Sequence, residues 1–320
     1  MSIGLLALVG LSPERVAALT AAGYAVREGK QYPNRTDAIR EAGEAVRAVL
    51  TNGRGGLSSD EMALLPKLEF ICTVGAGYEA VDLDTARSRG IAVANCPDTN
   101  ASTVADSAMM LLMAATRHLR AADRHIHAGG WQDQWNVVTP TISGKRLGVL
   151  GMGTIGGKIA HRAARGFDMA VGYHNRKTID GSPYRYFGSL IDLATWADFL
   201  ICAAPGGAAT RHLVNADVLT ALGPNGYLVN IGRGTVVDTA ALVDALRSKR
   251  IAGAGLDVVE GEPVVPPILP TLLQFDNVVV TPHCAGRAPE ARAAATALML
   301  ANLNAYFAGK PLLSPVAINV

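Results

Sequence analysis

Arg146-Leu-Gly-Val-Leu-Gly151-Met-Gly153-Thr-Ile-Gly156 is the stretch on which the fold turns. Arg146–Leu150 is an apolar run that reads as a buried strand, and Ile155 to about Arg165 reads as a helix. A Gly-x-Gly-x-x-Gly pattern alone is a weak signal, because glycine-rich turns are common. Between a strand and a helix it has the context that a dinucleotide-binding fingerprint requires. Gly151 permits the tight turn, Gly153 lets backbone approach a pyrophosphate, and Gly156 lets helix and strand pack closely. The N–H groups of Thr154 and Ile155, at the helix N-terminus, would then face the phosphates. An ordinary βα turn is the competing reading.

One strand further on, the segment Val171-Gly-Tyr-His174-Asn175-Arg176-Lys177 bears on which dinucleotide fits. An NAD site usually has Asp or Glu about 20 residues after the glycines, at the end of the second strand, to bond the ribose hydroxyls. The nearest acid here, Asp168, precedes the strand, and His174 takes the place of the acid. Asn175, Arg176 and Lys177 would suit a 2′-phosphate, which favours NADPH, with NAD still open. A solvated basic turn is the bland alternative.

Working outward, short β-like runs alternate with helical patterns almost from end to end. Before the glycine motif the expected strands are Leu5–Val9, Tyr24–Arg27, Ala48–Thr51, Phe70–Val74 and Ile91–Asn95. Helical stretches lie between them around Glu14–Ala22, Ala38–Ala45, Ser59–Leu65 and Asp82–Arg89, with Ser12 and Ser58/Ser59 as N-caps. A long helix over Asp98–Leu119 separates this series from a second one. The second has strands at Arg146–Leu150, Met169–Tyr173, Phe199–Ala203, Tyr227–Ile231, Gly253–Asp257 and Val278–Thr281. A closing helix covers Pro289–Phe307. The pattern predicts an α/β protein of two doubly wound parallel-sheet domains, each with its ligand edge at the carboxyl ends of the strands.

The bulk properties agree. A chain of 320 residues suits two domains of roughly 150 each. With 49% hydrophobic and 18% charged residues and a formal charge of +2, the composition is globular and shows no basic cluster for nucleic acid or an acidic membrane surface. Cys72, Cys96, Cys202 and Cys284 form no metal-ligand spacing and read as free thiols, so no metal is expected. Apolar runs stay short of about 18 residues, so no membrane span is expected. The apolar N-terminus lacks a basic leader region and reads as a first core strand. A reducing cytoplasmic compartment fits.

Three residues just past strand ends are the catalytic candidates. Arg233 lies in Val229-Asn-Ile-Gly-Arg233-Gly234, Glu262 in Asp257-Val-Val-Glu-Gly-Glu262-Pro263, and His283 in Val280-Thr-Pro-His283-Cys-Ala-Gly286. Each alone reads as a surface residue; consecutive βα loops at one sheet edge can bring them together. A guanidinium grips an α-keto acid carboxylate bidentately and polarises its carbonyl. An imidazole supplies or takes the proton when a ketone is reduced or its alcohol oxidised. A carboxylate on the other ring nitrogen would orient that imidazole and favour its charged form. Earlier in the chain, Val74-Gly75-Ala76-Gly77-Tyr78 follows a strand and could expose amides to a carboxylate.

Four motifs in this order, Gly151-x-Gly153-x-x-Gly156, Asn-Ile-Gly-Arg233-Gly, Asp257-x-x-x-x-Glu262-Pro263 and Thr-Pro-His283-x-Ala-Gly286, resemble the D-isomer-specific 2-hydroxyacid dehydrogenases, and the likeness runs over essentially the whole chain. The resemblance implies a Rossmann coenzyme domain, 99–286, inserted in a flavodoxin-like substrate domain, 1–98 and 287–320. It implies a homodimer and a cleft that closes by hinge motion. It assigns the catalytic roles to Arg233, Glu262 and His283. It places Thr103, Ile231 and Arg233 near the cofactor, Asp257 and Gly286 near its carboxamide, and Val74, Gly75, Ala76 and Gly77 near the substrate with Arg233 and His283.

The Tyr-His-Asn-Arg-Lys turn and the Val-Gly-Ala-Gly-Tyr-Glu segment resemble the glyoxylate/hydroxypyruvate reductase branch, which tends to use NADPH. One departure is Asp106, where the family often has Glu; packing or hinge contacts, rather than catalysis, are expected to feel it. Trp131 and Trp135 fall in a segment that in this branch can reach a partner subunit. Hydroxyphenylpyruvate and 2-ketogluconate stay open as competing substrates, as does phosphoglycerate, formate or phosphite chemistry. A dinucleotide-sensing regulatory protein on the same fold is the reading from another class; the intact Arg–Glu–His set argues against it.

Overall fold

The computed structural model describes residues 2–131 and 135–317. Residues 318–320 of the expected C-terminal segment lie outside them. The chain divides into two compact units, Met1–Asn100 with Ala288–Val320, and Ala101–Arg287. In chain order the first unit holds β1 (Ile3–Ala7), α1 (Pro13–Ala21), β2 (Tyr24–Glu28), α2 (Arg35–Ala42), β3 (Val46–Thr51), α3 (Ser59–Ala63), β4 (Phe70–Thr73), α4 (Leu83–Ser88) and β5 (Ala92–Ala94). The second holds α5 (Ala101–Thr116), α6 (Leu119–His127), β6 (Arg146–Leu150), α7 (Thr154–Gly166), β7 (Ala170–His174), β8 (Arg185–Tyr186), α8 (Leu190–Trp196), β9 (Phe199–Cys202), α9 (Ala216–Leu222), β10 (Tyr227–Asn230), α10 (Thr239–Arg247), β11 (Gly253–Leu256), α11 (Leu269–Leu272) and β12 (Val278–Val280). α12 (Pro289–Phe307) rejoins the first unit.

The first sheet runs β2-β1-β3-β4-β5, with every neighbouring pair parallel. Its β4 is buried at all positions, because helices cover both faces and leave no solvent side to alternate with. α12 packs Ala295, Met299 and Leu303 into the core that holds Leu5, Leu50 and Phe70. Asn302, fully buried on α12, accepts from the amides of Leu313 and Ser314 at 3.0 and 3.1 Å and donates to Ser314 Oγ at 2.8 Å. Ser314 Oγ in turn donates to Asn95 O. The chain after α12 is thereby tied to the first sheet.

The second sheet runs β12-β11-β10-β9-β6-β7-β8, again parallel throughout. From β6 the chain winds outward through β7 and β8, then returns to the other side of β6 as β9. That reversal creates a crevice at the carboxyl ends of β6 and β9, where open α/β sheets bind ligands.

Local chemistry explains most boundaries. Ser12 caps α1 through Arg15 N with Pro13 at its first position, and Ser58 with Glu61 closes a capping box on α3. The expected helix over 98–119 is α5, shorter at both ends, and a further helix that the sequence pattern did not announce, α6, follows His118, whose φ of 50° lies in the left-handed region. No Gly or Pro marks the break between them in the sequence. β8 was also unexpected, since a two-residue edge strand has no periodicity to read. Cys72, Cys96 and Cys202 are buried and all four cysteines are free thiols; burial pushes the Cys202 thiol up to about 12. Among the described residues no helix is long and apolar enough to cross a membrane.

Candidate active site

At the carboxyl edge of β6, Gly151 turns with φ 94°, and a Cβ there would lie 2.8 Å from Ala204 N. A Cβ on Gly156 would meet Gly151 O at 2.1 Å, so any side chain would lever α7 off the strand. A Cβ on Gly153 would meet nothing within 4 Å. Gly153 caps α7 without a side-chain hydrogen bond, and the helix's first amides have no partner one turn back. Open space before bare N–H groups at a helix N-terminus fits a pyrophosphate.

The basic turn after β7 divides into two kinds of residue. His174 Nδ1 lies 2.8 Å from Phe187 O, so that nitrogen carries the proton and donates. Asn175 Oδ1 accepts from Met152 N at 2.7 Å, bracing the glycine loop from below. Both side chains are thus held within the protein. Arg176 and Lys177 are exposed.

Arg233 follows β10 in extended backbone. Asn230, 1% exposed at the end of that strand, shapes the turn: its Oδ1 accepts from Gly232 N and its Nδ2 donates to Arg233 O. Arg233 Nη1 donates to Gly232 O at 3.0 Å. Ile231 is buried in the core beside them, and Gly286 is half-buried.

After β11 and β12 the structure brings Glu262 and His283 together. Glu262 Oε2 is 2.6 Å from His283 Nδ1, while its Oε1 accepts from Val259 N at 2.8 Å. With both oxygens engaged, the carboxylate cannot rotate without breaking one bond. Nδ1 being bonded to Glu262, Nε2 is the ring nitrogen left to exchange a proton. His283 has φ 50°, unusual for a residue with a side chain.

Asp257 shows why that backbone holds. It is 2% exposed; Oδ1 accepts from Thr281 Oγ1 at 2.6 Å and Cys284 N at 2.9 Å, and Oδ2 accepts from Ala285 N at 3.0 Å. Its carbonyl accepts from His283 N at 2.8 Å. The resemblance puts Asp257 near the carboxamide, but a bracing role for it was not read from the sequence. Nor were roles for Asn230 and Thr281, although a polar residue closing an otherwise apolar strand was a visible signal. Ser107 of α5 adds a bond to Ala285 O at 3.0 Å. Thr103 is half-buried in the first turn of the same helix, and Asp106 accepts from Arg162 of α7 at 2.7 Å.

In the first unit, Val74–Gly77 follows β4. Gly75 has φ 145°; its carbonyl accepts from Cys96 N, and that of Ala76 accepts from Asn95 Nδ2 at 2.7 Å. The amides of Ala76 and Gly77 have no backbone acceptor among the described residues. Trp131 is exposed, and Trp135 packs its ring against His125 at 5.4 Å. Among the described residues, no cluster of three or more His, Cys, Asp or Glu side chains could hold a metal ion.

Residues 109–285 match the family model described as D-isomer specific 2-hydroxyacid dehydrogenase, NAD binding domain. The chain is 39% identical over 284 residues to hydroxyphenylpyruvate reductase of Plectranthus scutellarioides, covering 89% of this chain and 90% of that one. It is 41% identical over 278 residues to 2-ketogluconate reductase of Gluconobacter oxydans, covering 87% and 88%. Among solved structures it is similar to the NADPH-dependent glyoxylate/hydroxypyruvate reductase of Sinorhizobium meliloti in complex with NADP and malonate, with TM-score 0.87, 36% identity and coverage of 99% and 98%.

Proposed function

The chain belongs to the D-isomer specific 2-hydroxyacid dehydrogenase family, and from that premise we propose that it reduces a small 2-keto acid of the glyoxylate/hydroxypyruvate class to its D-2-hydroxy acid, with NADPH preferred over NADH. The observation that carries the reading is the Glu262–His283 pair at the carboxyl edge of the sheet that also bears the glycine loop.

The roles follow from the chemistry. The glycine loop, with the amides of Thr154, Ile155 and Gly156, holds the pyrophosphate; Gly151 and Gly153 give it room. Arg176 and Lys177 grip the 2′-phosphate by charge, supported by the His174–Asn175 turn. Thr103, Ile231, Asp257 and Gly286 complete the coenzyme environment. When bound, the nicotinamide supplies the hydride. Arg233 binds the substrate carboxylate and draws electron density toward the carbonyl oxygen. His283 delivers the proton from Nε2 to that oxygen, and Glu262 balances the charge the imidazole carries while fixing its orientation. The Val74–Gly77 loop of the first unit presents amides of a kind that suits a carboxylate. Residues 99–286 act as the coenzyme domain and 1–98 with 287–320 as the substrate domain of a cytoplasmic homodimer.

Relatives named for hydroxyphenylpyruvate and 2-ketogluconate are about as similar as those named for glyoxylate, so substrate rests on assay. The test is oxidation of NADPH and of NADH with glyoxylate, hydroxypyruvate, hydroxyphenylpyruvate and 2-ketogluconate supplied in turn. Rapid NADPH-linked turnover of glyoxylate or hydroxypyruvate, with NADH much poorer, is the expected result. Turnover confined to one of the other acids would overturn the substrate class. An equal rate with NADH would overturn the role of Arg176 and Lys177.

A further inference from the structure

We infer that His212 and Glu260 form a positioning clamp for the catalytic loop, holding in register the segment that carries Glu262 and, through Glu262, His283. The inference rests on the roles proposed above for that pair. His212 Nε2 lies 3.0 Å from both carboxylate oxygens of Glu260, and neither side chain is more than one-third exposed. Arg211 Nη2 reaches the same carboxylate at 2.8 Å, and His212 Nδ1 lies 3.9 Å from Asp238 Oδ2. Glu260, Asp238 and Arg211 are thus the charged groups paired around the ring.

Glu260 stands two residues before Glu262, and between them and β11 the amide of Val259 donates to Glu262 Oε1. Pulling Glu260 toward His212 therefore sets where that amide points. The loop after β10 is caught in the same grip. A Cβ on Gly234 would lie 2.3 Å from the Val259 carbonyl carbon, so the backbone next to Arg233 lies flat against this segment. His212 N donates to Thr235 O at 2.8 Å, and Val214 bridges Val237. His212 adopts φ 52°, a conformation that lets its amide serve one loop while its ring serves the next. Three consecutive loops, after β9, β10 and β11, are laced at one point, and both Arg233 and Glu262 leave from it. The Glu262–His283 contact is short, 2.6 Å, so a small slip of the loop weakens it.

The test compares His212→Leu, Glu260→Gln and the double variant with wild type, all as the full-length protein. The first readout is the ring-proton NMR resonance of His283 Nδ1–H, whose downfield position follows the short contact to Glu262 and needs no turnover. A loosened Glu262 lengthens that hydrogen bond, so the resonance moves upfield or is lost to exchange in both single variants. A resonance unchanged in the folded single variants overturns the clamp. Glu260→Gln keeps the loop's size if the first variant folds poorly. The second readout is steady-state reduction of the 2-keto acid. Expected is an about tenfold fall in kcat with KM for the keto acid within about twofold, and a double variant no worse than the worse single one. Unchanged kcat, or losses that multiply in the double variant, would overturn it. Absence of wild-type turnover with every 2-keto acid would overturn the reaction reading, while the Nδ1–H resonance still decides the clamp.

Discussion

Two buried polar side chains, one in each unit, do the same physical work toward different ends. Asp257 at the edge of the second sheet gathers Thr281 Oγ1 and the amides of Cys284 and Ala285. Asn302 on α12 gathers the amides of Leu313 and Ser314 and donates to Ser314 Oγ and Leu298 O. Both are almost completely enclosed, at 2% and 0% exposure, and both pin a returning segment to a sheet. Asp257 pins the segment that carries His283; Asn302 pins the chain after α12. A saturated, buried hydrogen-bond hub is thus a generic way to fix a loop. Whether its loss is felt in catalysis or only in stability depends on what the loop carries.

The largest effect that comparison predicts is for Asp257→Asn. An amide can accept only through its oxygen, so its NH2 group would face a backbone N–H that now has an acceptor. The segment holding His283 shifts, and kcat should fall about 10- to 100-fold at a temperature where the variant is fully folded. An unchanged kcat in a folded, NADPH-binding variant would break the link between the hub and His283. The partner prediction is Asn302→Ala. It removes four hydrogen bonds, two of them from the amides of Leu313 and Ser314, and should cost about 2 kcal/mol of unfolding free energy in urea, with kcat/KM within about twofold of wild type. A large loss of kcat/KM without destabilisation would collapse the distinction between the hubs.

Neither hub was visible as a hub in the sequence, and the reason is physical. The strands were legible because parallel strands covered on both faces become nearly continuous apolar runs, as in Phe199–Cys202 and Tyr227–Asn230. The Arg233, Glu262 and His283 candidates were legible for the complementary reason: each is a charged or titratable residue just past such a run. Which donors converge on Asp257 is another matter, because they come from 24 to 28 positions later in the chain. His212 was missed because it sits far into its loop, and its partner Glu260 looked like any other loop acid. The break at His118 carried no Gly or Pro to announce it.

Exposed charge supplies a contrast of another kind. Arg176 and Lys177 are exposed and brace no loop among the described residues; their proposed partner is a phosphate that arrives from solvent. Replacing both with alanine should raise KM for NADPH about tenfold, leave KM for NADH within about twofold, and scarcely touch kcat at saturation. Equal losses with both cofactors would show that these side chains support the turn rather than select the phosphate.

Asp198 sharpens the comparison most finely, since it accepts as many hydrogen bonds as Asp257 while lying open to water. Its oxygens take Arg146 N at 2.9 Å, Nε at 3.1 Å and Nη2 at 2.8 Å, with 30% of the Asp198 side chain and 46% of the Arg146 side chain exposed. The hydrogen bond from Arg146 is the chief cause that holds the Asp198 carboxyl below its ordinary value. A depressed folded-state value means the stabilisation is present above the unfolded carboxyl range, near about 4, and is lost as pH falls through the folded value. Solvent screening keeps it small. Asp198→Asn should therefore cost about 0.5 kcal/mol at neutral pH, read by urea unfolding, and the gap from wild type should narrow steadily as the buffer is taken below about pH 4. A gap that stays constant with pH would assign the loss to packing rather than charge. A loss as large as that of Asn302→Ala would mean that the number of hydrogen bonds, and not their burial, decides what such a hub is worth.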